Sequence, residues 1–394
     1  MRVFVINQHG EALMPCKPRK AKKLLKEGKA KVVFRSPFTI QLKYGSTGYK
    51  QALTLGVDTG HKEVGLSVVS ETKEVFSAVA SMRNDISKKM TDRKMYRRNR
   101  RSRLRYRKPR FLNRKASTRQ GRLAPSVQWK VDAHGKLIQQ LKSLMPVTKV
   151  VLETGTFDPH QLKNPDIKNE QYQKGVQYGF ENVKAYVLSR DHYQCQSQKK
   201  SCCSKLEVHH IIYRSHGGSD SPSNLIVLCG NHHESLHNGQ WILNIKKHKC
   251  LKSATTMNII RSQLLKLFPD AVETFGYVTK ANRYSYGFDK THANDAFVIA
   301  GGSVQKRDFE RTISFKRKNN RSIQKNRKGF TPSIRRQRYT IQPKDLVRFE
   351  GKQYQAIGMQ NKGAYLKMID GLKAIVKSMK KIEVLFHQKG VVYA

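Results

Sequence analysis

Apolar residues in this chain come in short runs with two different periods. Near the N-terminus the pattern predicts a strand at Val3–Ile6, a turn at Gln8-His9-Gly10, a basic helix at Pro18–Lys26 closed by Gly28, and strands at Lys31–Phe34 and Phe38–Leu42. Three more strands are expected at Ala52–Val57, Val64–Ser70 and Val75–Val79, the first two joined by a tight turn at Asp58–Lys62. A helix over 133–146 leads into a strand at Lys149–Glu153, and Gly179–Arg190 forms a further helix. Met257, Ile260, Leu264 and Leu265 give Thr255–Phe268 the spacing of a packed helix, followed by a strand at Val272–Phe275 and an apolar helical run from Asp295 through Ala300. After a basic stretch over 306–338, short alternating runs from Asp345 to Ala394, with turns at Glu350-Gly351 and Asn361-Lys362-Gly363, have the signature of a small β-barrel. The expected fold class is α/β with several small domains.

Charge narrows the partners. The chain has 394 residues with 77 Lys plus Arg against 28 Asp plus Glu, a formal charge of +49 that solubility does not require. A polyanion is the expected partner, and without an apolar run of about 18 residues or a signal peptide it is nucleic acid rather than a membrane surface. The protein is therefore expected in the cytoplasm, bound to nucleic acid. Half of residues 93–122 are Lys or Arg and none is acidic. Arg97, Arg98, Arg100, Arg101, Arg103, Arg105 and Arg107 would surround every face of a helix. Like charges at that spacing repel, so the helix needs a phosphate backbone to neutralise it.

Three acids stand where an RNase H-like core would need them: Asp58 at the end of an apolar strand, Glu153 at the end of another, and Asp295 at the start of a helix. Hydrolysis of a phosphodiester with two Mg²⁺ ions requires carboxylates converging on one point, because hard cations take oxygen ligands. His292, one turn before Asp295, is placed to orient the attacking water or contact phosphate. Singly, each acid is as readily a turn or cap residue.

Between the second and third acids lies a different constellation. His233 and His237, at i and i+4, share a helical face and suit chelation of one ion, with His209 completing the set. His210, on the other side of its strand, is then free as the general base, with Asn224 holding its tautomer. The alternative is a structural zinc site that uses all the histidines and leaves Gly217-Gly218 unexplained. Cys195 and either Cys202 or Cys203, with Cys229 and His232, could hold a structural Zn²⁺, against a plain cluster of reduced thiols.

Taken together, Leu13-Met14-Pro15, the acids Asp58, Glu153 and Asp295, the arginine-rich helix and the histidine array resemble the IscB family of transposon-encoded RNA-guided nucleases, over nearly the whole chain. Ala12 stands where the family's PLMP motif has its first proline, and the cysteine spacing departs from the common Cys-x2-Cys. The resemblance implies a PLMP domain over 1–50, RuvC-I over 51–82, a bridge helix and basic segment over 83–125, RuvC-II over 126–188 and an HNH domain over 189–250. RuvC-III over 251–304, a basic linker over 305–338 and a target-adjacent-motif-interacting β-barrel over 339–394 would follow. It further implies a split RuvC core of RNase H-like fold with an inserted ββα-metal HNH domain. A guide RNA, called ωRNA, would pair with one strand of a double-stranded DNA target, and the protein would act as a monomer in a ribonucleoprotein. HNH, with one Mg²⁺, would cut the paired strand and RuvC the displaced one, while Arg348, Gln360, Asn361 and Lys362 would be candidates for reading the flanking DNA. The competing expectations are an unguided homing or junction-resolving nuclease and an inert RNA-binding protein that keeps the fold.

Overall fold

The computed structural model describes residues 2–45, 48–104, 121–158, 160–162, 164–168, 175–197, 202–203, 205–216, 218–245, 251–316, 339–370, 373–388 and 390–393, with backbone alone at 96, 98–104 and 362. In chain order the elements are β1 (Val3–Ile6), β2 (Ala12–Cys16), α1 (Pro18–Lys26), β3 (Ala30–Arg35), β4 (Phe38–Leu42), β5 (Leu53–Asp58), β6 (Glu63–Val69), β7 (Glu74–Ser81), α2 (Ile86–Leu104), α3 (Pro125–Leu144) and β8 (Val147–Thr154). Then come α4 (Val183–Arg190), β9 (Leu206–His210), β10 (Leu225–Cys229), α5 (Gly230–His237), α6 (Lys252–Leu267), β11 (Val272–Phe275), α7 (Gly276–Ser285), α8 (His292–Ile299) and β12 (Glu310–Phe315). The tail adds β13 (Leu346–Phe349), β14 (Lys352–Gln360), β15 (Tyr365–Asp370), β16 (Lys373–Ser378), β17 (Glu383–Phe386) and β18 (Val391–Tyr393). Two compact units result: Met1–Gly155 with Ile259–Ala394, and Thr156–Asn258. Among the described residues no helix is long and apolar enough to cross a membrane.

The first unit is built on a seven-stranded sheet in the order β11-β8-β5-β6-β7-β12-β18. Strands β5, β6 and β7 form an antiparallel meander, and β8 and β11 add in parallel beyond β5. The inner strands β5 and β6 are almost wholly buried, which explains their near-continuous apolar sequence. A second sheet, β2-β1-β4-β3, carries its own core of Val3, Val5, Leu13, Ile40 and Leu42. Pro15 is tolerated in β2 because that strand lies at the sheet edge.

Helix α8 determines where the chemistry lies. Thr291 caps it, its hydroxyl accepting from Asn294 N at 3.1 Å. His292, Ala296 and Ala300 follow at intervals of four and face the sheet, where two glycines receive them. A Cβ at Gly56 would stand 2.2 Å from the Ala296 carbonyl oxygen and 2.5 Å from Ala300 N. One at Gly65 would stand 1.9 Å from the His292 carbonyl oxygen. The helix therefore lies directly on the backbone of β5 and β6.

Several expected boundaries move. Residues 310–315 were read as part of a basic linker over 305–338, but Glu310–Phe315 is a strand paired in parallel with β7. Its arginine does not mark it as a linker: Arg311 is buried, paired with Asp308 and stacked over Phe309 and Phe76. The tail splits likewise. Val391–Tyr393 leaves the barrel region and pairs antiparallel with β12, and the five remaining strands run β16-β15-β14-β13-β17 as an open ladder around Val347, Phe349, Tyr354, Leu366 and Met368. The rest of the basic stretch, 317–338, lies outside the described residues. Within the second unit, α4 packs through Val187 on Leu225 and Val227, so the boundary expected at 188 falls before this helix. Arg190 and Asp191 fix it there: Arg190 donates to the Pro222 and Leu225 carbonyls, and Asp191 accepts from Val227 N at 2.9 Å.

Two stability experiments test this packing. Gly56→Ala forces a Cβ into backbone that cannot rotate away, so it should cost about 1–3 kcal/mol and lower Tm by several degrees, whereas Gly175→Ala, which meets nothing within 4 Å, should leave Tm unchanged. His134 in α3 is completely buried with Nε2 unpartnered, and burial pushes it down to about 4. The unfolded chain takes up that proton near the ordinary value of 6.5 while the folded one refuses it, so stability should fall by up to about 3 kcal/mol as pH drops from 6.5 to 4. Urea denaturation across that range should flatten in His134→Leu.

Candidate active sites

Parallel pairing brings two acids side by side. Asp58 and Glu153 are direct register partners at the ends of β5 and β8, and the Thr59 hydroxyl donates to the Glu153 carbonyl at 2.6 Å. From α8, His292 Nδ1 donates to Asp58 Oδ2 at 2.6 Å, while its Nε2 lies 3.4 Å from Glu63 Oε2. Asp295, one turn along, has Arg283 Nε from α7 at 2.9 Å. All four residues expected here thus meet at the carboxyl ends of β5 and β8. Glu63 and Arg283 were not anticipated; Arg283 has a sequence signal only in its position within the short helix before Thr291.

The electrostatics of this edge are uneven. The hydrogen bond to Asp58 raises His292 above the usual imidazole range, against burial. Burial, followed by repulsion from Asp58, raises Asp295, and Arg283 opposes the rise. Glu153 has no salt-bridge partner of its own among the described residues: burial first, then Asp58 and Asp295, push it up to about 7 against Thr279 and the more distant His292, and its Oε2 is buried with no hydrogen-bond partner within bonding geometry. An unpaired buried carboxylate oxygen beside two further carboxylates suits a bound cation.

In the second unit β9 and β10 form an antiparallel pair, with His209 facing Ile226 and His210 facing Leu225, and α5 follows directly. Alternation along β9 buries His209 and leaves His210 accessible. His209, His233 and His237 bring ring nitrogens within 4.8 Å of one another, as their spacing predicts. His233 Nε2 and His237 Nε2 are 3.2 Å apart, and His233 Nδ1 is 2.7 Å from Glu207 Oε2, which fixes the ring. Burial, then the neighbouring His233 and His237, push His209 down to about 4, so it stays neutral and able to donate a lone pair.

The expected role of Asn224 is not the one observed. Its Oδ1 accepts from Ile212 N at 2.9 Å and its Nδ2 donates to the Ile212 and Ser219 carbonyls at 3.0 and 2.8 Å. Both ends are spent closing the loop after β9, leaving nothing for an imidazole. Asp220 meets His210 instead, its Oδ1 at 2.8 Å from Nε2, and Arg214 holds the same carboxylate at 2.7 Å. The loop's glycine also has a reason: a Cβ at Gly218 would stand 1.7 Å from the Ile212 carbonyl oxygen.

Cys195, Cys202, Cys229 and His232 form a second set with ligand atoms within 4.8 Å of one another. Cys203 is not part of it; its Sγ turns to the Lys205 carbonyl at 3.7 Å. His232 Nδ1 stands 3.1 Å from Cys229 Sγ, 3.6 Å from Cys195 Sγ and 3.7 Å from Cys202 Sγ. Burial and the neighbouring thiols push Cys202 up to about 11. Against burial, hydrogen bonds from Ser197 and the Cys229 amide bring Cys195 down to about 6. Among the described residues these two sets meet the 4.8 Å criterion, and the carboxylate trio does not.

The remaining expected contact residues are more dispersed. Arg97 is exposed on α2, while the side chains of Arg98, Arg100, Arg101 and Arg103, and all of Arg105 and Arg107, lie outside the described residues. Arg348 is committed to a cross-strand pair with Glu383 at 3.0 Å. Gln360 and Asn361 are exposed, Asn361 with φ 45°, and the Lys362 side chain lies outside the described residues.

Metal content by atomic emission tests the cysteine set. Cys202→Ser and Cys229→Ser should each lower the metal bound per chain by about one equivalent, and Cys203→Ser should leave it unchanged. Loss in Cys203→Ser alone would overturn the assignment of ligands.

Two segments of the chain match known families. Residues 3–175 match the family described as RRXRR protein, whose motif stands here as Arg97-Arg98-Asn99-Arg100-Arg101. Residues 194–239 match the HNH endonuclease family and contain the β9–β10–α5 histidine array. The type IV methyl-directed restriction enzyme EcoKMcrA of Escherichia coli K12 is 33% identical over 100 residues, 24% of this chain and 35% of that protein. The chain thus spans about a third of that relative's length. Crystal structures of Streptococcus thermophilus Cas9 with the AGAA and AGGA PAM align at 16% and 15% identity over 45% of this chain and 26% of theirs. Their TM-score of 0.29 is too low to carry an argument about this fold. The segment 194–239 thus has the sequence of an HNH endonuclease domain.

Proposed function

We propose that this protein is an RNA-guided DNA endonuclease of the IscB kind with two separate cutting sites. The HNH histidines would cut the guide-paired strand and the RuvC carboxylates the displaced one. The observation that carries the reading is the pair of constellations in one chain: Asp58 and Glu153 in parallel register beneath His292 and Asp295, and His210 beside the His209, His233, His237 set. The strand run β7-β6-β5-β8-β11, an antiparallel meander extended by two parallel strands, supports an RNase H-like core. The arginine motif and the +49 charge support an RNA partner.

In the HNH site His210 acts as the general base that takes a proton from the attacking water, and Asp220, itself held by Arg214, orients its ring. His209, His233 and His237 would hold one divalent ion; Mg²⁺ is the expectation, but three imidazoles suit a transition metal such as Zn²⁺ better than a hard cation, and the two facing Nε2 atoms stand 3.2 Å apart. In the RuvC site Asp58, Glu153 and Asp295 would hold two Mg²⁺, and His292 orients water or phosphate. Bound there, such ions supply charge stabilisation to the scissile phosphate and lower the pKa of water. The Cys195, Cys202, Cys229 and His232 set fits structural Zn²⁺. A tetrahedron with Zn–S of about 2.3 Å and Zn–N of about 2.0 Å puts S and N about 3.5 Å apart, and the observed separations are 3.1 to 3.7 Å.

One observation favours a second reading. The matched relative is named a restriction enzyme, so an unguided nuclease remains the competitor. Strand-specific nicking of a labelled plasmid by the purified complex separates the two. His210→Ala should abolish one strand's cut and Asp58→Ala the other's, each by at least about 100-fold, and loss of both cuts in either variant would sink the idea of two independent sites. Digesting co-purified RNA before adding target should abolish sequence-directed cutting; unchanged cutting would leave the unguided enzyme.

A further inference from the structure

Helix α7 has two faces of opposite character. Inward, Thr279 and Arg283 are buried, Arg283 reaching Asp295, and at the helix start a Cβ on Gly276 would stand 3.2 Å from Glu153 Oε1. Outward, Tyr277 and Tyr284 are 74% and 71% exposed, and Tyr286 just beyond the helix is 47% exposed. Large rings left in water next to a reaction centre need a partner to be worth their exposure. These rings are also pre-set. Tyr277 stacks on Phe275 with an interplanar angle of 5° and centroids 6.1 Å apart, and Tyr284 has Arg283 at 5.5 Å and Lys280 Nζ at 6.0 Å from its ring centre.

We propose that the outer face of α7 is a stacking platform for single-stranded DNA, delivering the strand to the carboxylate site. This rests on the proposed nuclease role of that site. Tyr277, Lys280 and Tyr284 fall on one helical stripe, and the seven residues from first to last ring span about 10 Å, the length of about three stacked nucleotides. Between Gly276 and Tyr286 there is no acid, and Lys280 is exposed on the same stripe, so a phosphate backbone running along it meets a cation. Planar bases give the rings a partner that water and protein do not, and stacking accepts any base. Splayed bases are needed for it, so a duplex does not fit, and the ligand is a single strand.

The test uses the full-length protein carrying Asp58→Ala to prevent cutting, a 12-mer oligothymidylate with one 5-bromouracil as probe, and salt raised until phosphate contacts are largely screened. Ultraviolet crosslinks should map to Tyr277 or Tyr284. Tyr277→Ala with Tyr284→Ala should weaken binding at least about tenfold, and the two Tyr→Phe changes together should keep it within about twofold, because Phe retains the ring. Crosslinks elsewhere, or binding within twofold in the double Ala variant, would overturn the platform. So would an equal loss for the duplex form of the probe, and oligouridylate displacing the probe more effectively than oligothymidylate would overturn the DNA assignment. The nuclease reading fails separately: if Asp58→Ala still cuts both strands while tyrosine-dependent binding persists, the site is misassigned and the platform stands.

Discussion

The contact on which the first unit depends is that of a helix with bare backbone. Stripe residues His292, Ala296 and Ala300 lie against Gly56 and Gly65, where any Cβ would overlap main-chain atoms. Close packing of this kind removes freedom, because the helix can neither lift nor slide without opening a void or a clash. That constraint puts the His292 imidazole on Asp58 and Asp295 beside Arg283. The opposite wall is set as firmly, since the parallel register of β5 and β8 leaves Asp58 and Glu153 adjacent.

Like charges brought together in this way have to be balanced, and the protein balances only part of them. His292 serves Asp58 and Arg283 serves Asp295, while Glu153 is left with a buried oxygen and no cation of its own. The imbalance lies at the mouth of the sheet, where a bound dication would complete the neutralisation. The HNH segment is arranged differently. Imidazoles face one another, with Glu207 holding one ring, and three thiols gather around His232. Both are sets of donors rather than of charge pairs, which suits metal ions and not a hydrophobic core.

Periodicity reports local geometry, so the sequence anticipated which of these side chains share a face. The i,i+4 spacing of His233 and His237, the alternation that separates His209 from His210, and the helix start near Asp295 are all short-range facts, and the folded chain keeps them. Where the reading went astray, a charged or short segment had been judged by composition. Glu310–Phe315 falls in a stretch that is basic and low in apolar residues, the composition of a linker, yet its Arg311 guanidinium is buried against Phe76 and Phe309 and paired with Asp308. Strand β2 is not among the expected elements; its Pro15 is compatible with a strand only because β2 lies at a sheet edge.

The sequence by itself determined the kinds of donor available, their local faces and the strong positive charge that calls for a polyanion. Only the tertiary structure decided which groups meet. It chose Cys202 over Cys203, gave Asn224 to the Ile212 and Ser219 backbone rather than to His210, supplied Asp220 to that histidine, and drew Val391–Tyr393 away from the tail sheet to β12. The physical reason is range. Helical and strand periodicity follow from neighbours a few residues apart, whereas loop closure and strand partnership are settled by contacts between distant segments, whose competing alternatives differ in packing and in satisfied hydrogen bonds rather than in local preference.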